Sequence, residues 1–322
     1  MIKKIYEKLN NILSVYIFGN PNRFNYNIFN FFYRTIICKN NKKNEKINDL
    51  VKNGYFKGSK ASKEFIDLIR ENIINKKDID KKTTEFLHQD KIENKKKNIA
   101  FNVDPSFRNK IIEFIKTDFK DDLLALENYY NNKISIAQIQ VKRNLPLENK
   151  EYYNKYARTK EFEIYSNYYH VDFYVNTHLK MFINLQDVKK EDGPLHIYSK
   201  PSTRKFIKKN KYKNRNNYQC KELDGLYVNS GMVGETLFAN TTECLHRAGI
   251  PEENHHRDIL FISFIVIPEK FDNNKSFLDY YDKLDQNVVW SHNNSNVVFK
   301  TKPKRLKDTF NLFKKYYVSK MI

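Results

Sequence analysis

The sequence is poor in cysteine, glycine, proline and tryptophan, and it lacks long apolar runs. Its three cysteines, Cys38, Cys220 and Cys244, are odd in number and form no Cys-x-x-Cys pair. That spacing argues against both a disulfide framework and a zinc knuckle, and it fits a reducing, cytoplasmic setting. Only 8 Gly and 8 Pro occur in 322 residues, which does not fit a low-complexity, disordered chain. No apolar stretch approaches the ~20 residues that span a bilayer. The opening "MIKKIYEKLNNILSVYIFGN" is interrupted by Glu7, Asn10 and Asn11 and precedes no small-residue cleavage site, so a signal peptide is not expected.

Aromatic residues are abundant, with 22 Tyr and 24 Phe, and hydrophobic residues make up 40% of the chain. A core can therefore form despite a mean hydropathy of −0.75, and the length suits one large domain or two small ones. The formal net charge of +20 raises nucleic acid or an anionic membrane as partner. The excess is mostly lysine scattered among Asn and Ile, and the runs at 39–46, 75–82, 93–98 and 208–217 read as solvated loops. No specific nucleic-acid partner is expected. Ile2, Ile5, Tyr6, Leu9, Ile12, Leu13, Tyr16 and Ile17 recur at helical spacing with lysines opposite. This predicts an amphipathic helix, docked on the core or weakly associated with an anionic membrane. Oligomeric state has no marker in the sequence.

Helices are predicted over 62–74, where Ser62 can cap, over 104–116, with Asp104 as cap and Pro105 at the first helical position, and over the "DDLLALENYY" run. The texture then changes to β-branched and aromatic runs at 133–144, 161–174, 178–188, 193–200, 234–242 and 257–268, separated by turn residues. Strands in series without an intervening helical period predict an antiparallel barrel or jelly roll. The expected organisation is a single catalytic unit. A helical region over 1–130 packs on a β core over 131–270, and an extension over 271–322 ends in a helix.

Within "NYYHVDFYVNTHLKMF", His170 and Asp172 stand two apart. On a strand they project to one side with Cα atoms ~6.5 Å apart, close enough to converge on one ion. Such a pair could equally be a hydrogen-bonded core pair. His246, near the end of "TLFANTTECLHRAG", supplies a third group, because strands distant in sequence lie side by side in a jelly roll. Two histidines and one carboxylate form the facial set that suits non-haem Fe(II) with open positions. Arg257 follows eleven residues after His246, at the start of the next strand, and its planar fork suits the carboxylate of a dicarboxylate co-substrate.

With these residues in view, the sequence resembles the Fe(II)- and 2-oxoglutarate-dependent oxygenases of the phytanoyl-CoA dioxygenase type. The resemblance is carried by "HVD" with "HRAG…R", by "LKMFINLQDVKKEDGPLHIYSKPS", by "GMVGETLFANTTECLH" and by "LVKNGYFKG", and it spans about residues 47–268. It implies a double-stranded β-helix (cupin-like jelly roll) with helical N-terminal additions. It implies Fe(II) on His170, Asp172 and His246, with Arg257 on the distal carboxylate of 2-oxoglutarate. It also implies hydroxylation of a substrate C–H by O2 with release of succinate and CO2. Ser199 stands without the histidine that usually follows it, and Ala248 replaces a hydroxyl residue. A carboxylate at 172 favours hydroxylation over halogenation, which needs a small residue there.

Lys180, Gln138 and Gln140, with Asn184 and Arg143, alternate suitably to reach a cavity, and they are candidate co-substrate or substrate contacts. A polar outer face is the competing reading for Lys180 and Asn184. His178 and His196 are substitutes for a metal ligand, His255 and His256 read as solvated, and Cys244 as a small buried residue. The expected substrate is a small or lipid-like molecule, with positive loops hinting at an anionic group. Two other functions stay open: a cupin-type enzyme with a redox-silent metal, such as an isomerase or epimerase, and a basic peripheral binding protein with a vestigial site.

Overall fold

In the computed structural model the described residues are 44–75, 84–86, 96–101, 103, 105–130, 134–146, 169–172, 179–210, 224–266, 288–290 and 297–299. The amphipathic run at 1–17, the predicted C-terminal helix, Cys38, Cys220 and His178 lie outside them.

Local chemistry sets the helix ends. Helix α1 (Glu45–Asn53) is opened by the Asn44 side chain, which accepts from the Ile47 N–H, and closed by Gly54 at φ 88°, a left-handed turn that glycine adopts without a steric penalty. Strand β1 (Tyr55–Lys57) follows. Helix α2 (Lys63–Ile69) is capped by Ser62 on the Phe65 N–H, as predicted, and continues as a π-helical turn to Ile74. Helices α3 (Pro105–Asp118) and α4 (Lys120–Tyr130) come next. Between the helices the chain also forms β2 (Thr84–Phe86) and β3 (Lys96–Phe101). The predicted mainly helical first 130 residues thus contribute three strands, too short or too lysine-rich to show a strand pattern alone.

The later strands are β4 (Ile134–Asn144), β5 (Leu179–Asn184), β6 (Leu195–Tyr198), β7 (Leu226–Asn229), β8 (Thr236–Ala239), β9 (His246–Ala248) and β10 (Arg257–Val266). A seven-stranded sheet runs β1-β8-β5-β10-β4-β3-β2 and a three-stranded sheet runs β7-β6-β9, with every pairing antiparallel. The fold is therefore a mainly β jelly roll with helical additions, as the strand-rich texture predicts. A separate hairpin joins β11 (Val288–Trp290) to β12 (Val297–Phe299).

The large sheet separates two cores because its side chains alternate. Met181, Ile183, Phe238, Leu260, Ile262 and Phe264 face the helices and pack with Phe65, Ile115, Phe119 and Leu123. Phe182, Leu237, Ala239 and Ile259 face the other way, onto Leu195 and Ile197 of the small sheet. The candidate site lies on this second face. Helix α5 (Lys200–Asn210) is not among the predicted helices, and its end overlaps the run at 208–217 expected as a loop. Its inward residues explain its existence: Lys200 makes a buried ion pair with Glu243 at 2.7 Å, and the Thr203 hydroxyl accepts from the Leu245 N–H at 2.8 Å. The helix thereby fixes the turn that leads into His246.

Phe238 is fully buried and stacks on Phe56 at 4.8 Å and on Phe264 at 6.2 Å. Phe238→Ala is expected to cost about 3–5 kcal/mol, read from the midpoint of urea unfolding.

Candidate metal centre

His170 and His246 are brought together by the backbone. The His170 N–H donates to the His246 carbonyl at 2.9 Å and the His246 N–H donates back at 2.8 Å. Of the strand predicted over 161–174 only residues 169–172 are described, and within them His170 makes this isolated antiparallel bridge. The two imidazole centroids lie 4.4 Å apart. Two residues on, the Asp172 N–H donates to the Thr241 carbonyl at 2.9 Å, which turns its carboxylate towards both rings. Asp172 Oδ1 is 3.7 Å from His170 Nε2, and Oδ2 is 3.7 Å from His246 Nε2. One ligand atom from each of the three lies within 4.8 Å of the others, and all three residues are buried.

The geometry suits a cation. His246 Nδ1 lies 3.0 Å from the Cys244 carbonyl; a carbonyl can only accept, so Nδ1 carries the proton and Nε2 presents its lone pair on the Asp172 side. Burial pushes the Asp172 carboxyl up, but the Lys180 ammonium bonded to it, with the two imidazoles beside it, more than reverses this and holds it well below the usual carboxylate range. Lys180 Nζ sits 2.5 Å from Asp172 Oδ2.

Opposed residues on neighbouring antiparallel strands share a face. Ser263 is opposite both Lys180 and Gln138, Phe261 is opposite Phe182 and Gln140, and Ile259 is opposite Asn184 and Lys142. Arg257, one alternation further along β10, completes this stripe. It is only 3% exposed, and its Nε and Nη1 have no hydrogen-bond partner. Burial alone lowers its pKa to about 10, so it remains a cation at neutral pH. Both amide atoms of Asn184 and the Ser263 hydroxyl are likewise buried and unpartnered. Native proteins rarely leave such groups unsatisfied, since each costs roughly 1–3 kcal/mol.

Lys180, Gln138, Gln140 and Arg257 thus share one face with the metal-competent trio. Arg143 does not. Odd-numbered here against the even-numbered glutamines, it points to the opposite face and makes a two-bonded fork to Asp258 at 2.7 and 2.7 Å. His196 is also excluded as a ligand. On β6 it pairs with Arg247 while Ile197 pairs with His246, so it faces away from the trio and meets the Tyr169 hydroxyl at 3.0 Å and Arg247 at 3.3 Å. His255 joins Asp192 at 3.0 Å, and Cys244 is buried. Sequence reasoning missed Ser263, Thr241 and Thr242, whose hydroxyls are all buried without partners. A lone hydroxyl inside "ILFISFIVI" was the available signal for Ser263.

No protein-family model matches this sequence, and no curated protein matches it. Among solved structures the chain is similar to the non-heme alpha ketoglutarate dependent epimerase SnoN from nogalamycin biosynthesis, at 12% identity and TM-score 0.45, over 69% of this chain and 82% of that one. It is similar to EctD from S. alaskensis with bound Fe, at 11% identity and TM-score 0.47, over 71% and 80%. It is also similar to HygX from Streptomyces hygroscopicus with nickel and 2-oxoglutarate bound, at 9% identity and TM-score 0.43, over 69% and 86%. At such identities and scores these likenesses carry no weight for chemistry.

Burial, with the charges of Arg247 and Arg257, pushes the His196 pKa down to about 4 from its ordinary 6.5. Below about pH 6.5 the unfolded chain takes up a proton that the folded chain refuses, so stability falls as pH drops from there towards about 4. Urea unfolding across that window should show a shallower fall in His196→Gln than in the parent.

Proposed function

We propose that this protein is an Fe(II)- and 2-oxoglutarate-dependent oxygenase of the phytanoyl-CoA dioxygenase type that hydroxylates a C–H bond of a small molecule. The observation that carries the reading is Arg257: a guanidinium 3% exposed, without partners at Nε and Nη1, on the same sheet face as a His-Asp-His trio. A buried unpaired cation is among the most expensive groups a fold can keep. A dicarboxylate that reaches from the metal to Arg257 relieves that cost.

In this reading His170, Asp172 and His246 hold Fe(II). The iron, when bound, supplies O2 activation coupled to 2-oxoglutarate decarboxylation, so that RH, O2 and 2-oxoglutarate give ROH, succinate and CO2. The chain's own residues do the rest. Arg257 takes the distal carboxylate through its fork, and the Asn184 amide offers a donor and an acceptor beside it. Phe182, Ile259 and Phe261 exclude water from the space between. Gln138 and Gln140, half-buried on β4, stand at its edge. Asp172 occupies the place a halide would need, which favours hydroxylation. The redox-silent alternative gives Arg257 no ligand, and neither does a vestigial site. The functional unit is taken as one catalytic domain with its β core over 131–270, working in the cytoplasm, where the Cys244 thiol stays reduced.

Adding Fe(II) and then 2-oxoglutarate without oxygen to metal-free protein should produce a visible charge-transfer band that needs both additions. Asp172→Ala should abolish it. Arg257→Met should weaken 2-oxoglutarate binding roughly 30-fold or more, the usual loss when one partner of a buried charged contact is removed. A folded parent protein that gives no band would defeat the assignment.

Arg257→Met should also make the ligand-free protein more stable, by about 1–3 kcal/mol, because it deletes unsatisfied buried donors. Thermal unfolding in the absence of 2-oxoglutarate checks this sign; an arginine kept for structure would give the opposite one.

A further inference from the structure

We propose that Lys180 is a positioning residue for the metal centre. Its ammonium keeps Asp172 Oδ2 from the ion, so that Asp172 gives the metal one oxygen and a further coordination position stays open. The inference rests on the proposed iron and 2-oxoglutarate reading and deepens it, since oxygen activation needs that position.

The carboxylate by itself is placed to bind through both oxygens. Asp172 Oδ1 lies 3.7 Å from His170 Nε2 and Oδ2 lies 3.7 Å from His246 Nε2, so each oxygen faces one of the two imidazoles across the same space. Lys180 breaks that symmetry. Its Nζ donates to Oδ2 at 2.5 Å, a charge-assisted bond of the strong kind. A divalent ion that approached Oδ2 would meet the ammonium as well, and two cations that close repel.

The fold holds the ammonium where it is. Strand β5 lies between β8 and β10, and Lys180 is paired on both sides, with Ala239 and with Ser263. The Lys180 side chain is only 14% exposed, and its Nζ lies 5.8 Å from the centroid of the Phe261 ring, a cation–π distance. A surface lysine would swing into water when a divalent ion arrived. A lysine whose stem is buried keeps its head at the carboxylate, so the ammonium and the ion share Asp172, one oxygen each.

Coordination arithmetic gives the consequence. His170, Asp172 and His246 as single donors leave three places on a six-coordinate ion. A chelating keto acid takes two, and the third remains for oxygen. A carboxylate bound through both oxygens would fill that third place. The same ammonium repels the ion, so keeping the position open weakens metal binding. A lysine that only neutralised a buried aspartate would change metal affinity and leave the number of open positions as it was.

The test uses the full chain with Mn(II), whose electron paramagnetic resonance lines broaden when a coordinated water carries the magnetic isotope of oxygen. The Mn(II)-loaded parent is first titrated with 2-oxoglutarate; absence of binding there overturns the oxygenase reading and this inference with it. The parent complex with 2-oxoglutarate is expected to keep a coordinated water, seen as broadening in isotope-enriched water. In Lys180→Met that broadening should vanish, while Mn(II) binds roughly tenfold more tightly. Lys180→Gln, which also removes the charge, takes its place if Lys180→Met does not fold. No broadening in the parent complex, broadening that persists without the lysine, or a Mn(II) affinity that does not rise overturns the role given to Lys180 and leaves the oxygenase reading standing.

Discussion

The pair of backbone hydrogen bonds between His170 and His246 is the contact on which the site depends. Each residue donates to the other's carbonyl, at 2.9 and 2.8 Å, so the main-chain separation from which the two imidazoles project is fixed by the backbone. Asp172 is tied in the same manner, through its N–H to the Thr241 carbonyl. Side chains whose main chain is anchored in this way are preorganised, and the surrounding hydrophobic packing only has to keep water away. The α5 helix contributes by gripping the turn before His246 through Thr203 and the Lys200–Glu243 pair.

Against that rigid frame stands a set of buried polar groups that the fold leaves unpaired. Arg257, Asn184 and Ser263 are all on one face of the large sheet, and none is needed to hold the sheets together, since Ile259, Phe182 and Leu237 do that from the same face. A fold that tolerates such groups sacrifices stability for binding capacity. The charges follow the same logic: Lys180 beside Asp172 more than offsets burial and holds its carboxyl well below the usual carboxylate range.

Much of this was legible in the residues. The strands β4, β5, β6, β8 and β10 carry unbroken β-branched and aromatic runs, and the helices α2 and α3 carry caps, so their positions could be read locally. Strands β1, β2, β3, β7 and β9 have three to six residues each. Their strand character comes from a partner elsewhere in the chain. Helix α5 hid for the same reason, since the inward residues of "KPSTRKFIKKN" are Lys200, Thr203 and Phe206, of which only Phe206 is apolar. Gln138, Gln140 and Arg143 were expected to reach one cavity together; the register of β4 against β10 instead sends Arg143 to the opposite face, onto Asp258.

The sequence alone determined that the chain folds as a β-rich unit with helical additions, that His170 and Asp172 share a side, and that a histidine and an arginine follow at spacings suited to one site. Local rules suffice for those statements, because periodicity, capping and two-residue alternation act within a few residues. Only the tertiary structure decided that His246 sits beside His170, that Arg257 is buried without a partner, and that His196 and Arg143 face elsewhere. Those outcomes depend on which strands pair and in what register, and register is fixed by the packing of whole sheets.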